Sequence, residues 1–264
     1  MILRFNELAS TSTYLKENLD GLPQFAIVKA DFQTAGRGQR GNGWESEAGK
    51  NLLMSMLYFP PALLCPQKQF LISEAVALAV VEAVEILLDG VNAPEVTVKW
   101  PNDIYVGDKK LCGILIEHSL KSVDIIAHTI IGIGLNINQR QFHSNAPNPT
   151  SLITYIQKEL SVEEVLAVLI NSLKRNLNLL TEDEDNIARR YRLHLWRREG
   201  FHPYISRVAS SQPSPTAVID KDSLTENSRF DAEIVDVAPD GPLLLRLRSG
   251  EKRSFNFKEV VPII

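Results

Sequence analysis

Short apolar runs rich in β-branched residues recur along the first half of the chain and predict strands. They are FAIVKADF (25–32), NLLMSMLYF (51–59), EVTVKW (95–100), LCGILIEH (111–118) and DIIAHTIIGIGLNI (124–137). Between the second and third runs the period changes. Over residues 69–89 apolar side chains return at helical spacing around Leu71, Ala75, Leu78 and Val81, with Glu74, Glu82 and Glu85 expected on the wetter side. A second helix is expected from Ser161, where Ser-Val-Glu-Glu has the form of a capping box with Glu164 three residues on. A third, NIARRYRLHLWRR (186–198), is expected to stop before Gly200.

Beyond about residue 203 the pattern shortens. SSQPSPT (210–216) is rich in breakers, and the runs RFDAEIVDV, PLLLRLR and KRSFNF follow, joined by Pro-Asp-Gly-Pro and Ser-Gly turns. This predicts a small antiparallel β unit that packs on the main body, because so short a segment buries too little surface to stand alone. The expected division is a main domain over 1–205 and a β domain over 212–264.

Composition narrows the function classes. With 264 residues and 44% hydrophobic side chains, the chain can build a real core. Its formal charge of −4 argues against sequence-independent nucleic-acid binding, which needs a basic face. Cys65 and Cys112 give no disulfide framework and fit a reducing, cytoplasmic compartment. The N-terminus lacks the basic and apolar segments of a signal peptide. FLISEAVALAVVEAVEILL is interrupted by glutamates, so no membrane span is expected.

Four segments could carry chemistry. QTAGRGQRGNGW (33–44) holds four glycines and two arginines, so its backbone N–H groups and guanidinium forks suit a phosphate or carboxylate; the alternative is a plain surface loop. Its spacing is neither the Walker nor the dinucleotide pattern. Trp44 could cover a flat ring or anchor the loop in the core. In KWPNDIYVGDKKLCGILIE (99–117), Lys99 stands at a strand end, Pro101 stops the ladder and Asn102-Asp103 turn the chain. Lys99 is there either a charge aimed at an anion or an ordinary exposed lysine. Gly113, inside an apolar strand, marks close approach of a ligand or backbone, or a bulge. In IIGIGLNIN (130–138), Gly132 and Gly134 leave a trough on one strand face, and Asn136 follows as a purine-edge amide or a backbone-bonding one. Finally, ASTSTYLKE (9–17) places a hydroxyl run before a helix, one member serving as N-cap and the others free for a polar ligand.

Together STSTYL, QTAGRGQRGNGW, NLLMSM, KWPNDIYVGDKKLCGILIE and GIGLNIN, in that order, resemble the biotin protein ligase family (biotin–[acetyl-CoA-carboxylase] ligase), over most of the chain. The resemblance implies an α+β fold, with a mixed-sheet biotin/lipoate ligase-like catalytic domain followed by a small SH3-like β-barrel. It implies ATP and biotin as substrates with Mg²⁺ carried by ATP, biotinyl-5′-AMP as intermediate, and a lysine on a biotin carboxyl carrier domain as acceptor. Ser10, Thr11, Ser12 and Gln33 would line the polar part of the biotin site, with Gly36 and Gly113 also belonging to it. Arg37, Gly38 and Gln39 would wrap the acyl phosphate, Lys99 would face carboxylate and phosphate, and Gly132 and Gly134 would floor the trough. Trp44 would stack near adenine with Asn136 at its edge, and Lys99, Arg37 and Arg40 would carry catalysis. Ordering so much glycine is costly, so a loop that closes on ligand is expected.

Three departures stand out. Gln39 occupies the usual second loop arginine's place and Arg40 follows it; Ser12 replaces a common asparagine; and the first motif begins within ten residues of the N-terminus, leaving no room before it for a helix-turn-helix. No DNA binding is expected, while a homodimer is compatible with the sequence. The Arg-Arg-x-x-Gly-Gly-Gly signature of lipoate ligases is absent. A catalytically silent sensor fits poorly with the retained Lys99 and loop.

Overall fold

The computed structural model describes residues 1–38, 43–61, 64–143, 148–207 and 227–264. Its strands, in chain order, are β1 (Ile2–Leu8), β2 (Ile27–Gln33), β3 (Leu52–Tyr58), β4 (Val96–Lys99), β5 (Asp103–Val106), β6 (Lys109–Ser122), β7 (Ile125–Leu135), β8 (His202–Ser206), β9 (Arg229–Val237), β10 (Leu243–Leu247), β11 (Lys252–Phe255) and β12 (Val260–Pro262). The helices are α1 (Thr11–Glu17), α2 (Phe70–Leu87), α3 (Ile153–Ile156), α4 (Val162–Glu182) and α5 (Glu184–Leu193).

The first seven strands form one sheet in the order β1-β2-β3-β7-β6-β5-β4. Only the β1–β2 pair is parallel, so the sheet is mixed. The last five strands form an antiparallel sheet, β11-β10-β9-β8-β12, with the pairing expected of an SH3-like unit. This second sheet includes β8, which precedes the breaker-rich stretch; that stretch lies within 208–226, outside the described residues.

Alternation along the strands separates the two faces of the large sheet. Met54, Met56, Ile131 and Ile133 turn to one side and are covered by α2 and α4. Val28, Leu57 and Ile130 turn to the other and pack under Leu15 of α1. Helix α2 is apolar around nearly its whole circumference because it lies between the sheet, α4 and α5. The expectation that its glutamates face water fails for Glu74, which is only 3% exposed, since α5 packs on that side and Asp236 of β9 lies near it. Glu82 is half-buried and bound by Arg175 and Arg190, and Glu85 is exposed.

The caps follow the sequence. The Ser10 hydroxyl accepts from the Thr13 N–H and the Ser161 hydroxyl from the Glu164 N–H, each at 3.4 Å. The third helix ends earlier than Gly200 predicts. After Leu193 the backbone turns to β4, where the His194 carbonyl accepts from the Val98 N–H and the Trp196 N–H donates to the Val98 carbonyl. A sheet-edge ladder thereby replaces the last helical turn.

Candidate functional site

Sheet register assembles the site. On the α1 side of the sheet, Gly132 of β7 lies between Ser55 of β3 and Leu115 of β6, while the next row runs Gly134, Gly113, Asp103, Lys99 across β7, β6, β5 and β4. Residues far apart in sequence thus share one floor. Where the two glycines of the second row face each other the sheet carries no side chain of its own, and the Trp44 indole fills that place. A cavity of about 360 Å³ opens over the floor, lined among others by Thr11, Ser12, Gln33, Arg37, Trp44 and Lys99.

One end of the cavity is neutral and polar. The side chains of Ser10, Thr11 and Ser12 are buried, as is Ser55 beneath them. Thr11 Oγ1 and Ser12 Oγ lie 2.8 and 2.9 Å from Ser55 Oγ. Gln33 Oε1 accepts from the Thr11 N–H at 2.7 Å and from the Thr11 hydroxyl at 3.1 Å. Gly132 sits under Ser12: a Cβ there would come within 2.8 Å of the hydroxyl oxygen.

The other end is cationic. Lys99 Nζ donates to the Tyr105 hydroxyl at 3.0 Å. Burial lowers the lysine pKa, nearby Lys110 and Arg197 lower it further, and Asp103 opposes them. Burial also pushes the Tyr105 phenol well up, so the hydroxyl stays neutral and able to accept. Lys110 pairs with Asp103 at 2.7 Å and lies 5.7 Å from the Trp44 ring centre. Anions are the natural occupants of this end. Arg37, by contrast, lies at the hydroxyl end, where it pairs with Glu117, one row beyond Leu115 on β6, at 2.8 Å and reaches Thr13 Oγ1 at 3.4 Å.

The glycine-arginine loop is clasped at its base. The Trp44 N–H donates to the Gly36 carbonyl at 3.0 Å, and Arg37 bridges Gly43. The indole lies flat on the glycine row, where a Cβ on Gly134 would sit 2.4 Å, and on Gly113 2.7 Å, from ring atoms. Only glycine allows this approach. Gly134→Ala is expected to lift the ring off the sheet at a cost of about 1–3 kcal/mol. A changed indole emission together with a lowered thermal midpoint would show it; a variant structure with the ring unmoved would refute it.

The structure therefore gathers Ser10, Thr11, Ser12, Gln33, Arg37, Gly38, Trp44, Lys99, Gly113, Gly132 and Gly134 around one cavity. Gly36 stays behind the lining as part of the clasp. Asn136 is not brought to the cavity; it is buried, and its amide donates to the Thr150 carbonyl at 2.9 Å. Gln39 and Arg40 lie outside the described residues. Sequence reasoning missed Ser55, Lys110, Glu117 and Trp196. Ser55 and Lys110 sat in quoted motifs, and only strand register gives them partners. Trp196 lines the cavity because α5 stops early, with its Nε1 donating to Asp108 at 3.0 Å.

The C-terminal part closes the cavity through Ile234 and Leu243 of the second sheet and through Phe257 and Lys258 between β11 and β12. Trp100 ties it to the floor, its Nε1 donating to the Gly241 carbonyl at 2.9 Å and its ring meeting Phe257 edge-on at 5.9 Å between centres. Among the described residues no helix is long and apolar enough to cross a membrane.

Comparison with known proteins agrees with this geometry. Over 200 residues, 75% of the chain, it is 32% identical to the bifunctional ligase/repressor BirA of Escherichia coli. It is 27% identical over 94% of its length to the human biotin–protein ligase. The chain spans 55% of the first relative and 35% of the second. Among solved structures, the Aquifex aeolicus biotin protein ligase in complex with biotin and ATP superposes with a TM-score of 0.74 at 23% identity, covering 99% of this chain and 98% of that one. Residues 5–136 match the family model itself, and the chain belongs to the biotin/lipoate A/B protein ligase family.

Proposed function

We propose that this chain is an ATP-dependent biotin protein ligase acting in the cytoplasm. The observation that carries the reading is the polarity of this cavity. A neutral hydroxyl-and-amide end suits biotin's ureido ring, and a cationic end suits its carboxylate and the phosphates of ATP, at a separation set by the glycine rows. The relatives and solved structures that resemble the chain are named for the same chemistry.

In the first step a carboxylate oxygen of biotin attacks the α-phosphorus of ATP and pyrophosphate leaves. Both reactants are anions, and Lys99 offsets their repulsion while helping to hold the two in line; Arg37, paired with Glu117 beside Thr13, borders the hydroxyl end instead. Mg²⁺ arrives as the counter-ion of ATP and supplies further charge neutralisation at the phosphates. Trp44 on its glycine bed offers a flat surface for adenine. In the second step the amine of a lysine on a biotin carboxyl carrier domain attacks the acyl carbon, loses a proton and expels AMP. Lys99 supports the leaving phosphate as it did the entering one.

The test is ATP–pyrophosphate exchange driven by biotin or, separately, by lipoate, followed by transfer to an acceptor domain. Exchange with biotin and none with lipoate is expected. Well-folded protein that exchanges with neither would sink the ligase reading, and exchange with lipoate alone would reassign the substrate.

A further inference from the structure

The hydroxyl end of the cavity has a fixed direction of hydrogen bonding, which follows from counting protons. A backbone N–H can only donate, so the 2.7 Å contact from the Thr11 N–H identifies the facing atom of Gln33 as its amide oxygen. That oxygen can only accept. The Thr11 hydroxyl, 3.1 Å away, therefore spends its one proton on Gln33. Ser55 must then supply the proton of its 2.8 Å bond to Thr11. With the Ser55 proton committed, the 2.9 Å bond between Ser12 and Ser55 is donated by Ser12. Ser55 is 0% exposed, so no solvent competes for its proton.

We infer that Ser55 is a positioning residue that turns Ser12 into an obligate acceptor. Ser12, lying over Gly132, presents only lone pairs to the cavity, whereas Gln33 Nε2 has no partner among the described residues and presents N–H. A ligand matching both carries an N–H beside a carbonyl oxygen, as a cyclic urea does. It rests on the biotin reading above and adds a source of specificity: a ligand with an ether oxygen in place of that N–H meets lone pair against lone pair.

The experiment measures calorimetric affinities for biotin and for the two cyclic carbamates in which one or the other ureido N–H is replaced by oxygen. Wild type is expected to bind one carbamate about 100-fold more weakly than biotin, since a site built to pair a polar group rejects an analogue that cannot pair. In Ser55→Ala the Ser12 hydroxyl is free to rotate, and that ratio falls about tenfold. In Thr11→Val the Ser55 proton has no acceptor except Ser12, whose own proton then points at the ligand; the ratio approaches one or inverts. A purely structural role for Ser55 would weaken all three ligands together. Should Ser55→Ala fail to fold, Thr11→Val still decides the matter. Equal wild-type affinity for biotin and both carbamates, or a ratio unchanged in the folded variants, overturns the inference alone. Wild type that binds none of the three overturns the biotin reading with it.

Discussion

Lys99→Ala is expected to lower biotin-dependent ATP–pyrophosphate exchange by about 100- to 1,000-fold, roughly 3–4 kcal/mol of barrier. The lysine stands at the end of the row that begins with Gly134 and passes through Gly113 and Asp103, so register aims it along the floor on which the ligands would lie. Its Nζ spends one proton on the Tyr105 hydroxyl and keeps two for the ligand. Because burial, Lys110 and Arg197 pull its pKa down, the free enzyme should lose activity on the alkaline side earlier than an ordinary lysine would dictate. Lys99→Arg keeps the charge at all accessible pH, so it should restore part of the activity and flatten that alkaline limb. Loss in the alanine variant should fall mainly on kcat, since the charge matters most where negative charge gathers in the transition state. Equal exchange by wild type and Lys99→Ala would remove the residue from the mechanism.

What could be read from sequence, and what could not, divides along local and non-local physics. The strands of the large sheet's centre, the caps at Ser10 and Ser161 and the strand β9 follow from alternation and side-chain chemistry within a few residues. The edge strand β1 was invisible because its pattern ILRFNEL alternates weakly and pairs only with β2. Lys99, Gly113 and Gly134 were legible as candidates, but that they form one row required the pairings of four strands. Trp44 was legible as an aromatic with two fates; the glycines facing each other across β6 and β7 decide that it lies over the floor. Ser55 could not be singled out at all. A serine in the middle of NLLMSM looks like a small core residue until Thr11 and Ser12 are placed above it. Asn136 follows the second of its two readings, its amide donating to a backbone carbonyl of a later loop rather than lining the cavity.

Glu74→Gln is expected to stabilise the protein at neutral and mildly alkaline pH, by on the order of 2–4 kcal/mol. The carboxyl lies in α2 at the junction with α5 and the second sheet, 3% exposed, and its Oε2 has no hydrogen-bond partner. Burial pushes its pKa up to about 8; Arg192 opposes this and Asp236 adds to it. Those two groups pair with each other at 3.1 Å, which blunts the help Arg192 can give. The buried Tyr191 phenol, also driven upward, is a further titratable neighbour. A carboxyl whose folded pKa exceeds its unfolded value favours the folded state only while protonated. Its contribution is therefore full below about 4.5 and is lost as pH rises through about 8. Thermal midpoints of the two proteins should coincide near pH 4.5 and separate by about 5–10 °C near pH 8.5, the glutamine variant being higher. Because Trp100 holds the same junction from the other side through Gly241, the wild-type loss should begin where the two sheets meet, with faster amide exchange in β9 and β10 at alkaline pH. A variant less stable than wild type at pH 8.5 would show that the ionised carboxylate is bound rather than stranded.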